Sequence, residues 1–134
     1  MSQIVDVEGI GSAFGAKLAS AGVKTTDALL ERAAKPTGRH ELAQATGIKE
    51  TLILDWVNRV DLARIKGIGP QYSDLLEAAA VDSPAELAQR VPTHLMTTLQ
   101  STNESKHLVR RVPTKSAVEH WIAEARVLPK VVEH

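Results

Sequence analysis

The sequence has no cysteine, which excludes disulfides, thiolate zinc sites and thiol nucleophiles. Aromatic side chains are almost missing: Phe14, Trp56, Tyr72 and Trp121 are the whole set. A core must therefore be assembled from Leu, Ile, Val and Ala. No apolar run approaches the ~20 residues that a membrane-crossing helix requires. The opening Met-Ser-Gln-Ile-Val-Asp lacks the basic and apolar stretches of a secretory signal, so a cytoplasmic protein without membrane contact is the expectation. Net charge is lacking as well, since 16 Lys and Arg offset 16 Asp and Glu. Tight nucleic-acid binding usually rests on a basic excess. Neutrality therefore predicts weak phosphate contact or a different partner.

Enzyme signatures are also absent. No Gly-x-Gly-x-x-Gly follows a strand pattern, and no phosphate loop ends in Lys-Ser or Lys-Thr. His40, His94, His107, His120 and His134 have no metal-ligand spacing with each other or with carboxylates. No nucleophile stands beside an obvious base. The expectation is a protein with no catalysis, no metal and no cofactor.

What is present is a phrase written twice. Val7-Glu8-Gly9-Ile10-Gly11 recurs as Ile65-Lys66-Gly67-Ile68-Gly69. At the same offset Phe14 answers Tyr72, Leu18 answers Leu76, Ala21 answers Ala79, Val23 answers Val81, Thr25 answers Ser83 and Leu29 answers Leu87. A constant offset over so many pairs points to internal duplication. Trp56 and Trp121 also correspond, with an insertion expected between Ser101 and Pro113. The 134 residues suffice for one compact domain or for two small units sharing a core.

The remaining pattern reads as short helices. Phe14, Leu18 and Ala21 have helical spacing, and Gly22 stops that segment. Thr25 or Thr26 caps the next, which carries Leu29, Leu30 and Ala33. Pro36-Thr37-Gly38 is expected to break the chain before a helix from Arg39 to Ala45, ending at Gly47. Leu52, Ile53, Trp56, Val57 and Val60 share one face of a further helix, which continues through Asp61-Leu62-Ala63-Arg64. Pro70 opens a helix at its first position. Ser83-Pro84-Ala85-Glu86 is a capping signal, and Pro92 separates that helix from one bearing Leu95, Met96 and Leu99. Ser101 to Ser105 reads as a polar turn. Ser116 to Glu119 reads as a capping box for a last helix carrying Val118, Trp121, Ile122 and Ala125, closed by Pro129. Both tryptophans lie on apolar stripes and are expected in the core. The fold expectation is all-α: two fused units, 4–61 and 62–128, packed as one compact domain with apolar faces against each other.

The glycine turns resemble the helix-hairpin-helix motif. Gly9-Ile10-Gly11 and Gly67-Ile68-Gly69 supply its paired glycines, and Gly15 and Ser73 the small residue four positions after the second, where two helices cross closely. Over almost its whole length the chain is similar to bacterial proteins of the domain-of-unknown-function family numbered 4332. The stretches that carry this likeness are Glu50 to Glu77, with Trp56-Val57-Asn58 and Asp61-Leu62-Ala63-Arg64, and Asn103 to Leu128, with Leu108-Val109-Arg110-Arg111-Val112-Pro113 and Trp121-Ile122. The resemblance implies tandem helix-hairpin-helix units and no defined activity. It also implies that a monovalent cation could sit on hairpin carbonyls.

The chemistry of such a turn is anion binding. Glycine permits positive φ and leaves no Cβ in the way. The first amides of the following helix lack partners and face outward, where the helix dipole favours negative charge. Ile10 and Ile68 are expected to point inward as anchors. Contacts of this kind hold a nucleic-acid backbone without reading bases. DNA-binding hairpins often carry a cation two places after the second glycine, whereas Ala13 and Gln71 stand here. Glu8 would repel phosphate at the first turn, so the second is favoured. The candidate site is Arg64, Lys66, Gly67, Gly69 and Gln71, with Gly9, Gly11 and Ser12 as a weaker counterpart. Lys106, Arg110, Arg111 and Lys115, with no acid among them, form the one locally basic run, and Lys106 and Arg110 are expected on one helix side. Two functions follow: weak, sequence-independent binding of DNA or RNA, or a protein-interaction adaptor whose hairpins serve packing alone.

Overall fold

Apolar residues spaced three and four apart build helices throughout the chain. A computed structural model describes residues 3–7 and 9–134. Among them it contains a 3-10 helix, Ile4–Asp6, and eight α-helices: α1 (Gly11–Ser20), α2 (Thr26–Ala33), α3 (Pro36–Thr46), α4 (Glu50–Leu62), α5 (Pro70–Ala78), α6 (Pro84–Ala88), α7 (Pro92–Lys106) and α8 (Lys115–Val127). There is no strand among the described residues, only an isolated antiparallel bridge between Gln3 and Thr25. The all-α expectation is met.

The chain divides into two units. The first extends to Asp61 and takes back Lys130–His134, and the second is Leu62–Pro129. Each has its own apolar cluster. In unit 1 Leu18, Leu29, Leu42, Ile53 and Trp56 are fully buried. In unit 2 Ile65, Leu75, Leu76, Leu87, Leu95 and Leu99 are, with Trp121 and Ile122 beside them. Aliphatic side chains dominate both, as the shortage of aromatics requires.

Unit 1 buries a cation. Arg39, 4% exposed, donates to the carbonyls of Ala33 (2.9 Å), Ala34 (3.1 Å) and Glu133 (2.7 Å). Burial pushes its guanidinium below the ordinary value, against the opposing pull of Glu50 and Glu133. Its bond to Glu133 helps seat the returning segment. The Glu133 amide bonds to the Ala34 carbonyl, Val132 is 1% exposed, and the His134 ring meets Asn58 Oδ1 at 2.9 Å.

Several local expectations need correction. Pro36 begins α3 instead of breaking the chain, because a proline at the first helical position gives up no needed donor. Gly38 lies inside α3, where an added Cβ would sit 2.1 Å from the Arg32 carbonyl oxygen, so glycine is what lets the two segments approach. α4 ends at Leu62, short of Arg64. The polar stretch Ser101–Ser105 is helical, within α7. α8 starts at Lys115 and is capped by Thr114, whose hydroxyl accepts from the Ala117 amide at 3.1 Å, so Ser116 is not the cap. Gly22 (φ +88°) and Gly47 (φ +75°) do terminate helices in the left-handed region. Thr25 and Ser83 cap α2 and α6.

Candidate nucleic-acid interface

The second glycine turn is built from two successive reverse turns. The Ile65 amide donates to the Leu62 carbonyl (3.0 Å) and the Ile68 amide to the Ile65 carbonyl (3.1 Å). Ile65 and Ile68 are buried and anchor the loop. Gly67, at φ +95°, occupies a backbone region that L side chains rarely adopt, and a Cβ there would sit 3.1 Å from the Trp121 indole nitrogen. The Tyr72 ring packs at 56° to Trp121 with centroids 5.3 Å apart. Gly69 is extended instead, with φ −95°, and precedes Pro70, the first residue of α5. No side chain caps α5, so the amides of Gln71 and Tyr72 have no partner within the helix. Lys66, Gly67 and Gln71 are exposed.

Two contacts alter the electrostatics of this turn. The Lys66 amide donates to Glu124 Oε1 at 3.3 Å, and the other oxygen of that carboxylate lies 3.2 Å from His120 Nε2. An anion supplied by the fold thus already holds one amide of the turn. The Arg64 guanidinium is committed, donating to the Pro129 carbonyl at 3.0 Å.

The first turn repeats part of this arrangement in unit 1. Gly9 (φ +90°) would carry a Cβ 3.4 Å from the Trp56 indole nitrogen, and Phe14 packs on Trp56 at 5.2 Å and 58°. Ile10 is buried, and Ser12 is exposed in the first turn of α1. Gly15 is the close-approach position, where a Cβ would meet Val5 Cγ1 at 2.6 Å. Gly11 has φ +62°, unlike Gly69, so the two turns differ at their second glycine. Glu8 lies outside the described residues.

The basic run is bent around the end of α7. That helix stops at Lys106, and His107 turns the chain in the left-handed region with φ +51°. Lys106 and Arg110 therefore do not share a helix side. The Asn103 side chain then clasps Val109, donating to its carbonyl and accepting from its amide, both at 3.0 Å. Further along, the Tyr72 hydroxyl donates to the Arg111 carbonyl at 3.3 Å. Arg110 and Arg111 are exposed between and beyond these fixings. They line an open groove of about 610 Å³ with Gln100, Glu104 and His107.

The family model described as a domain of unknown function, DUF4332, matches residues 8–128. The chain belongs to this family. No curated protein and no solved structure matches it.

In this DUF4332 chain, Tyr72, at the start of α5, bonds to the Arg111 backbone, and Gly67, Gly69, Gln71 and Arg111 all belong to unit 2. Arg110 shares the groove with Arg111. Lys106 ends α7, and Lys115 opens α8, where a cation opposes the helix dipole. Gly9, Gly11 and Ser12 belong to unit 1. Three residues escaped the sequence reading. Asn103 had a signal: it falls four residues after Leu99 on the buried stripe of Leu95 and Leu99, a polar side chain where an apolar one is due. Tyr72 was legible only as an apolar repeat partner of Phe14. Glu124 had no signal, because its reach to Lys66 spans separate elements. Among the described residues no helix is long and apolar enough to cross a membrane.

Proposed function

We propose that this protein is a non-enzymatic, cytoplasmic module of two duplicated helix-hairpin-helix units. In this reading unit 2 binds the backbone of DNA or RNA weakly and without sequence preference. The observation that carries it is the bond from the Tyr72 hydroxyl to the Arg111 carbonyl, 3.3 Å long. It ties the exposed arginines of the loop to the helix whose first amides lack partners. A phosphate would take the Gln71 and Tyr72 amides, and Lys66, Arg110 and Arg111 would supply positive charge. Glu124 subtracts from that charge, and the balanced composition adds nothing, so affinity is low. Contacts of this kind position a backbone and leave bases unread.

Labelled single- and double-stranded DNA and RNA, titrated at rising salt, test the reading. Log affinity for duplex should fall linearly with log salt, with a slope near one per contacted phosphate. Lys66→Ala and Arg111→Ala should each lower that slope by about one. Absence of binding even at low salt would end this reading. The zero net charge would then favour a protein-interaction adaptor, and a pulldown would be the next measurement.

A further inference from the structure

Building on the nucleic-acid reading of unit 2, we propose that the groove beside Arg110 and Arg111 receives an unstacked base, so that the protein prefers single-stranded over duplex nucleic acid. Its volume, about 610 Å³, suits one nucleoside unit. Its chemistry is mixed in a specific way. Arg110, Arg111 and His107 line it together with Glu104 and Gln100.

A plain phosphate seat would not include Glu104, which repels the ligand. A nucleotide resolves the conflict because it carries an anion at one end and hydrogen-bond donors at the other. The phosphate stays outside on the arginines. The base enters, stacks on a planar guanidinium or on His107, and meets the amide of Gln100. An ionised carboxylate only accepts, so Glu104 selects bases that present an amino group, such as cytosine, over thymine or uracil.

The groove wall is held in advance of binding. His107 reverses the chain, Asn103 grips Val109 through two hydrogen bonds, and Tyr72 holds Arg111. Such preorganisation lowers the ordering cost of association. A duplex keeps its bases stacked inside and can offer only phosphate. Its higher charge density should favour duplex if phosphate contact were all. A single-strand preference is therefore diagnostic.

The experiment measures fluorescence anisotropy with the full chain at neutral pH and one low salt concentration. The probes are labelled oligo-dC, oligo-dT and a mixed duplex, each of about ten nucleotides. Oligo-dC should bind at least about tenfold tighter than oligo-dT, the worth of one hydrogen bond to a charged group, and both tighter than duplex. Glu104 is exposed, so Glu104→Ala should leave the fold intact while bringing the affinities for oligo-dC and oligo-dT to one common level. Salt-dependent binding with duplex equal to or tighter than single strands would overturn the groove proposal and leave the phosphate reading standing. An unchanged dC-to-dT ratio in Glu104→Ala would also overturn it. No binding to any probe would overturn both.

Discussion

Single residues separate what the repeated phrase makes legible from what it hides. Gly22 and Ala80 occupy matching places after α1 and α5, and both are left-handed, at φ +88° and +68°. In each case the chain closes in the same way. The Val23 amide returns to the Leu18 carbonyl and the Val81 amide to the Leu76 carbonyl, both at 2.8 Å. Arg32 then caps the Ala21 carbonyl, and Arg90 caps the Ala80 carbonyl. Only glycine holds this conformation without a Cβ penalty, so Ala80 stores strain of about 1 kcal/mol. Ala80→Gly should stabilise the protein by about 0.5 kcal/mol, after the greater freedom of the unfolded glycine is subtracted. Gly22→Ala should destabilise it by about 1 kcal/mol, although the space is open, with Arg32 Nη1 3.9 Å from the added Cβ. Urea denaturation checks both, and a loss of stability in Ala80→Gly would refute the argument. The glycine of the first unit was legible as a helix stop. The alanine of the second was not, because its side chain carries no sign of the backbone it adopts.

At the scale of elements, helices were legible in kind and less so in their limits. Apolar spacing located α1, α2, α4, α5 and α8 because each buries one stripe on its own cluster. Misplaced limits came from reading polar or breaking residues by type rather than by position. Pro36 and Gly38 look like a break, yet both serve α3, one as its first residue and one as its closest approach to the Arg32 carbonyl. The stretch Ser101–Ser105 looks like a turn, yet the helix continues because Leu99 and then Asn103 face inward. Two serine or threonine candidates compete at α8. Thr114 takes the cap, and Ser116 is left exposed in the first turn. Thr114→Ala should therefore cost about 1 kcal/mol, the usual worth of a cap. Ser116→Ala should change stability by less than about 0.5 kcal/mol, as for an ordinary surface position. Comparable losses in both variants would restore the capping box read from the sequence. The same lesson applies to the basic run: its charges were plain, but its course was not, since the turn at His107 and the clasp by Asn103 depend on which face of α7 is inward.

For the molecule as a whole, the repeat suggested a boundary after residue 61, and nothing in the sequence marked the return of the chain to unit 1. Lys130–His134 follows Pro129 with no periodicity to mark its destination. What fixes it is a buried cation needing acceptors: Arg39 has two from the end of α2 and takes its third from Glu133. The candidate site shows the same division. Its glycines and cations could be read in order along the chain, but Tyr72 to Arg111 and Lys66 to Glu124 are side-chain bonds between distant elements, set by packing. Because each unit has a separate apolar cluster, loosening this returning segment should be felt in one unit alone. Val132→Asp would place a carboxylate where the side chain is 1% exposed, and an unpaired buried charge is expelled rather than tolerated. The segment should leave, stripping Arg39 of the Glu133 carbonyl and the Ala34 carbonyl of its amide donor. A charge left short of partners in a buried place costs several kcal/mol, so α2 and α3 should open more often. Amide hydrogen exchange of the full chain reads this directly. Amides of α2 and α3 should lose at least about tenfold in protection, while those around Leu75, Leu87 and Val118 keep theirs. Equal loss in both sets would mean that the two clusters unfold as one cooperative body and that the returning segment supports the whole chain.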